Sequence, residues 1–330
     1  MVQSTLLSIC IPNFNQGTAL LRSIYSLAKI TKYQEIELVI SDNGSTDKES
    51  QIALEYAKSL FPKVKIFTGS ANKKREEEWF SGFGANLNRL IDNSVGKYIW
   101  FLGSGDLIKT EYLPKILDVL RTNSFENIVV KSEFNNSYDD YKKLQNESVD
   151  NLFLLTLSSP KNLHLYDNSI SCNITHRNVY DKEFDSLKFQ DSWPHIEKIV
   201  IYLSENNEFR VCSFEEALVI VDQPIDGWYV RADALKIYLE LGLLYDHYLT
   251  VPQLTESRFS FEAYSNKILQ VAAMIIQIRL FGRSKIEYDL ARMTVKNLSR
   301  VKAMYILIAL FAPVFTLRIF RSVNTILVKV

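Results

Sequence analysis

The stretch Glu35-Ile36-Glu37-Leu38-Val39-Ile40-Ser41-Asp42-Asn43-Gly44-Ser45-Thr46-Asp47 joins an apolar run to a cluster of turn formers. Ile36–Ile40 is the length of a buried strand, and Asp42–Asp47 is the composition of a loop that leaves it. Working outward, the same grammar repeats. Leu6–Ile11 is a short apolar run stopped by Pro12, which predicts a buried first strand, followed by Asn13-Phe14-Asn15. Thr18–Ile30 carries Leu20, Leu21, Ile24, Leu27 and Ala28 at helical spacing. Downstream, Ile52–Leu60 predicts a helix, Val64–Phe67 a strand, Asn86–Ser94 a helix and Tyr98–Leu102 a fourth strand that runs into Gly103-Ser104-Gly105-Asp106. Tyr112–Leu120 reads as a further helix and Ile128–Val130 as a further strand. Alternating strand and helix predicts an α/β fold with a mostly parallel sheet.

In such a sheet the carboxyl ends of the strands share one edge, where ligands bind. Three polar loops therefore converge: Pro12-Asn13-Phe14-Asn15, Asp42 to Asp47, and Gly103 to Asp106. Residue type suggests roles. Asp42 can accept hydrogen bonds from a base or ribose, and Asn13 and Asn15 can fix a nucleoside's polar edge. Asp106 is a hard oxygen ligand suited to Mg²⁺ or Mn²⁺ arriving with a diphosphate. Each residue also has a plainer reading. Thr46 or Asp47 is a good helix N-cap, and Asp106 can cap a helix beginning near Thr110. It is the ordered set that favours a site.

Composition bounds the alternatives. The chain has 330 residues, 47% of them hydrophobic, with Lys+Arg and Asp+Glu equal at 38 each. A balanced charge gives no argument for nucleic acid. Cys10, Cys172 and Cys212 form no CxxC pair, and Met1–Thr5 shows no secretory leader, which together suggest a reducing compartment. Gly82-Phe83-Gly84 follows no strand, so it is not a dinucleotide fingerprint, and no G-x-S-x-G occurs.

The second half carries fewer signals. Residues from about 135 to 165 are polar and irregular and read as a loop or flap that ends near Leu152. Phe189-Gln190-Asp191-Ser192-Trp193-Pro194-His195 concentrates a carboxylate, an indole and an imidazole. The plainer reading is helix initiation, with Asp191 or Ser192 as N-cap and Pro194 near the first position. From about 230 the pattern is helical, through Ala234–Tyr248 and Phe259–Phe281. We divide the chain into 1–225 and a helical region 226–330, whose tail from about 291 to 330 holds seven basic residues and no acidic one. Within it Ala303–Leu317 is nearly all apolar but short for a span, and Pro313 interrupts it. Such a tail fits lying on a membrane surface; packing on the protein's own core is the competing reading.

Residues 6 to about 110 resemble the family 2 glycosyltransferases of the GT-A (nucleotide-diphospho-sugar transferase) fold. The resemblance rests on Pro12-Asn13-Phe14-Asn15, on Glu35 to Asp47, and on Gly96-Lys97-Tyr98-Ile99-Trp100-Phe101-Leu102-Gly103-Ser104-Gly105-Asp106. Looser likeness, to about residue 200 and including Trp193-Pro194-His195, is to bacterial O-antigen transferases of the abequosyltransferase-like branch. The resemblance implies an inverting hexosyl- or deoxyhexosyltransferase acting on a nucleoside-diphosphate sugar. It implies donor binding by Pro12, Asn13, Asn15, Asp42, Ser104 and Gly105, and a divalent cation (Mg²⁺ or Mn²⁺) on Asp106. Asp191, or else His195, becomes the base, and Trp193 an acceptor platform. The implied acceptor is a lipid-diphosphate-linked oligosaccharide, used in O-antigen or other surface polysaccharide synthesis by a peripheral enzyme on the cytoplasmic face of the bacterial inner membrane. One departure stands out. The family's metal motif usually offers two carboxylates, and Ser104-Gly105-Asp106 keeps one, so a catalytically weak nucleotide-sugar-binding or scaffold protein is the alternative. A nucleotidyltransferase would need a glycine-rich phosphate loop after the first strand, which Pro12-Asn13-Phe14-Asn15 is not.

Overall fold

The computed structural model describes residues 4–69, 82–122, 125–133, 153–156, 170–181, 187–189, 193–205, 208–221, 240, 241, 243, 244, 247, 248 and 300–311. The chain forms two compact units, Met1–Asp222 and Gln223–Val330. In the first, β1 (Leu7–Asn13), β2 (Ile36–Asp42), β3 (Lys65–Thr68) and β4 (Tyr98–Phe101) alternate with α1 (Gly17–Ser26), α2 (Lys48–Leu60) and α3 (Phe83–Asn93). Then come β5 (Leu107–Ile108), α4 (Leu113–Thr122), β6 (Asn127–Glu133), β7 (Phe153–Thr156), β8 (Asn173–His176), α5 (Arg177–Asp181), α6 (Pro194–Glu205) and β9 (Glu208–Ile220). They build one sheet in the order β3-β2-β1-β4-β8-β6-β9-β5, with β7 on β9. β3, β2, β1 and β4 are mutually parallel, and β8 is antiparallel to both β4 and β6.

Strand periodicity sorts the core. Along β1, Leu7, Ile9 and Ile11 point to a layer with Leu20 and Ile24 of α1 and Ala53 and Ala57 of α2. Cys10, with Val39, Ile99 and Phe101, points to the opposite layer, against Leu87, Leu90 and Ile91 of α3. Full burial of one such Leu or Ile contributes roughly 1.5–3 kcal/mol, so truncating Ile9 to Ala, at a cost of about 2–5 kcal/mol, is the kind of change that breaks the layer.

Pro12 does not stop β1 as expected. The strand continues to Asn13, with Pro12 opposite Ser41 on β2. Pairing with β4 ends at Cys10, so at Pro12 the ladder asks nothing of the missing N–H on that side. β7 begins at Phe153, just past Leu152 where the loop was expected to end, within a stretch read as irregular to about 165, and it adds to β9.

The amino-terminal edge of the sheet is closed by a buried carboxylate. Glu37 accepts from Ser8 Oγ (2.6 Å) and Val95 N–H (2.5 Å) and pairs with Lys65 Nζ (2.9 Å). Burial alone would raise its pKa, but the Lys65 ammonium, the Ser8 hydroxyl and the Val95 amide together hold it below its ordinary value. This network lies at the edge opposite the converging loops.

Candidate functional site

The three polar loops do meet, and hydrogen bonds join them. Asn13, at the end of β1, lies opposite Asp42, at the end of β2, and its Nδ2 donates to Asp42 Oδ1 at 2.7 Å. The same Nδ2 lies 3.1 Å from Ser45 Oγ and 3.0 Å from Ser50 Oγ on α2. Ser45 returns to Asp42, its Oγ donating to Oδ1 (2.5 Å) and its N–H to Oδ2 (3.0 Å). Asn15 sits at φ 51°, a left-handed conformation that Asn tolerates, and its Oδ1 accepts from Thr46 N–H at 2.7 Å. Gly44, at φ 82°, makes the turn itself. Asp47 is the N-cap of α2: its Oδ2 accepts from Ser50 N–H (2.9 Å) and also from Gly17 N–H (3.0 Å), which opens α1.

The third loop is fastened to the first. Ser104 Oγ donates to Pro12 O at 2.6 Å, and Gly105, at φ 104°, donates its N–H to Ser23 Oγ of α1 at 2.8 Å. Asp106 is 7% exposed and does not cap the turn at Thr110, which lacks a side-chain cap. Its Oδ2 accepts from Ser171 Oγ, which itself accepts from Gly103 N–H at 2.8 Å. Trp100 Nε1 fixes Ser171 from behind, donating to its carbonyl at 2.8 Å. A Cβ on Gly103 would lie 2.8 Å from Asp106 Oδ2, so the carboxylate occupies space that only glycine leaves.

Several predicted site residues thus also build the site. Asn13, Asp42 and Asn15 hold the second loop, and the Ser104 hydroxyl proton goes to β1. Three of about four acceptor positions on Asp42 are filled by described residues. Among the described residues no group of three or more His, Cys, Asp and Glu side chains could hold a metal ion.

The predicted acceptor side is placed in part. α6 begins at Pro194, which suits proline at a first helical position. His195 is 3% exposed, its ring 6.5 Å from those of Phe83 and Phe101 and 6.0 Å from that of Trp193. It therefore stands in an aromatic nest between the start of α3 and the end of β4. Trp193 is partly buried, and its N–H donates to Phe189 O at 2.8 Å. The buried Glu197 carboxylate accepts from Lys188 N–H (2.6 Å) and Phe189 N–H (3.0 Å), which ties this segment to α6. Asp191 lies outside the described residues.

Four residues that the sequence reading passed over belong to the same edge: Asn43, Asn86, Arg89 and Ser171. Asn86 had a signal, since it is a polar residue on the apolar stripe of α3 that includes Leu87 and Leu90. The half-buried Arg89 guanidinium donates to Ser41 Oγ at 3.1 Å and fills the space above Gly69, where a Cβ would come within 2.2 Å of it. Ser171 lies in a stretch with no periodicity to mark it.

A parallel four-strand core with polar loops fastened at its carboxyl edge, extended by antiparallel strands, is the GT-A architecture. The fold is shared with solved structures: a mannosyltransferase, PcManGT, from Pyrobaculum calidifontis in complex with GDP-Man and Mn²⁺ (TM-score 0.57, 11% identity, 93% of this chain and 86% of that one). Staphylococcus aureus TarS 1–349 in complex with UDP-GlcNAc is similar too (TM-score 0.53, 14% identity, 96% of this chain and 92% of that one). Residues 8–187 match the profile of Glycosyl transferase family 2, and the chain belongs to that family. Its sequence is 33% identical over 121 residues to an uncharacterized glycosyltransferase of Haemophilus influenzae, covering 36% of this chain and 43% of that protein. It is 31% identical over 121 residues to the uncharacterized glycosyltransferase YibD of Escherichia coli, covering 37% and 31%. These matches span less than half the length of either relative.

Proposed function

We propose that this chain transfers a glycosyl unit, with inversion, from a nucleoside-diphosphate sugar. The observation that supports it most is the pair of bonds Asn13–Asp42 and Ser104–Pro12, which gather three loops of the family motif on one edge. The nucleoside is bound at the Asn13, Asn15 and Asp42 side and the diphosphate at the Ser104-Gly105-Asp106 side. Mg²⁺ is held by one or two carboxylates plus phosphate oxygens and water. Asp106 fits that role as a lone protein ligand with one oxygen steadied by Ser171, for a cation that arrives with the donor. A bound divalent cation supplies positive charge where the leaving diphosphate gathers negative charge. The PcManGT structure is a complex with GDP-Man and Mn²⁺, which supports the same pairing here.

Asp191 is the proposed base. It takes the proton of the acceptor hydroxyl as the oxygen forms its bond to the anomeric carbon and the carbon–oxygen bond to the diphosphate breaks. Trp193 offers an acceptor sugar an apolar face. His195, enclosed by Phe83 and Phe101, suits a supporting role better than proton transfer. The acceptor we propose is a lipid-diphosphate-linked oligosaccharide, as in O-antigen synthesis, at the cytoplasmic face of a bacterial inner membrane; the basic, apolar tail supports it. A weak donor-binding or scaffold role is the second reading, favoured by the single carboxylate of the metal motif.

Thermal shift against a panel of nucleotide sugars with Mn²⁺ separates donor binding from none, because a ligand of the folded state raises the melting temperature. At least one donor should stabilise the protein; failure of all of them would remove the reading.

A further inference from the structure

In the second unit, α7 (Arg300–Phe311) is a 12-residue helix whose residues from Ala303 to Phe311 are all uncharged and almost wholly apolar. At 100° per residue, the described side chains that are exposed fall in one arc of about 160°. Met304, Tyr305, Leu307, Ile308 and Phe311 are 42–68% exposed, and Arg300 is exposed within the same arc. On the opposite face Ile306, 0% exposed, and Ala309, 1% exposed, are buried. A helix that buries one apolar face ordinarily turns a polar face to water. This one turns a second apolar face outward, and a contiguous apolar surface of that kind marks a docking site.

We infer that the Met304–Leu307–Ile308–Phe311 face of α7 docks on the surface of an anionic bilayer, with the helix lying flat in the headgroup region. Ile306 and Ala309 anchor the helix in the protein, so the packed and the lipid-facing readings of the tail hold for different faces of one helix. Charge selects the occupant. The 40 residues from Ala291 to Val330 contain Arg292, Lys296, Arg300, Lys302, Arg318, Arg321 and Lys329 and no Asp or Glu. Anionic headgroups complement that charge at about 1 kcal/mol per basic residue near the surface. A second copy of the chain would instead bring like-charged segments together across a two-fold axis. The apolar run Ala303–Leu317 is short for about 30 Å of hydrocarbon and is interrupted by Pro313, and no helix among the described residues is long and apolar enough to cross a membrane. Arg300 and Tyr305, toward opposite sides of the arc, can place their polar tips at the headgroups while their stems stay in apolar surroundings.

This extends the lipid-acceptor part of the proposed function but is measured without donor, so the two fail separately. Full-length protein is co-floated with vesicles of phosphatidylcholine containing about 30% phosphatidylglycerol, with pure phosphatidylcholine vesicles, and with the anionic vesicles in high salt. The expected result is flotation with anionic vesicles that salt weakens. The quadruple variant Met304→Ser/Leu307→Ser/Ile308→Ser/Phe311→Ser, shown to be folded by circular dichroism, should lose about tenfold or more of the partitioning. Absence of wild-type flotation, or flotation of the folded variant equal to wild type, overturns the inference. So does a wild-type dimer in analytical ultracentrifugation that the same variant dissociates, which would give the face to a second copy.

Discussion

Asn43 and Asn86 hold the same two backbone carbonyls from opposite sides. Asn43 N–H and Asn86 Nδ2 both donate to Asn13 O, at 2.9 and 3.4 Å, while Asn43 Nδ2 and Asn86 N–H both donate to Gly82 O, at 3.2 and 3.0 Å. This reciprocal bracket locks the start of α3 onto the ends of β1 and β2. Both side chains are buried, and neither Oδ1 accepts a hydrogen bond from the described residues. The prediction is that Asn43→Ala and Asn86→Ala each cost about 1–3 kcal/mol, and that the double variant costs less than the sum, because loss of one slackens the turn that the other grips. Urea titrations of the four-member cycle measure this, and strict additivity would show that the two act independently.

Gly17 makes a second point of close approach. A Cβ there would lie 1.9 Å from Ser50 N, the atom Asp47 caps. Gly17→Ala is expected to force α1 from α2 and destabilise by about 1–3 kcal/mol or more. A melting temperature equal to wild type would show that the helices part without cost.

Much of the first unit was legible because β1, β2 and β4 are buried on both faces and so appear as plain apolar runs. β2 was read to its limits short of Ser41 and Asp42, which remain in register with β1 although they are polar. Helix ends were read less well. α2 begins at Lys48, not Ile52, because the Asp47 cap draws polar residues into the first turn. β7, β8 and β9 were missed: Asn173–His176 alternates polar and apolar over only four residues, and Glu208–Ile220 carries charges that mask its run. The site was legible as motif residues but not in its bonding. Ser171, 65 positions from Asp106, had no local mark, since what makes it matter is a strand pairing.

Glu37 predicts an acid response. Its folded pKa lies below its ordinary value of 4.5, so its contribution to stability is present above that value and is lost as pH falls through the depressed folded value. Melting temperature measured from neutral pH downward should therefore fall in the carboxylate range, and Glu37→Gln should start lower and show a shallower slope. An unchanged slope in the variant would place the acid sensitivity elsewhere.

Asp191→Asn is expected to slow transfer by about 10²–10⁴-fold with donor affinity and melting temperature little changed. A loss confined to stability would instead assign Asp191 to the entry of α6. Greater damage from His195→Ala would move the base to the imidazole.

We propose that the edge carrying Asn13, Asp42 and Asp106 binds a nucleoside-diphosphate sugar and turns it over with Asp106 facing the diphosphate. Its most direct test is release of nucleoside diphosphate from a donor panel in Mn²⁺, with wild-type protein and with Asp106→Asn side by side. We predict that the wild type releases nucleoside diphosphate from at least one donor, and that the variant, shown to be folded by circular dichroism, releases none above background. No release by the wild type from any donor, or equal release by the variant, would contradict it.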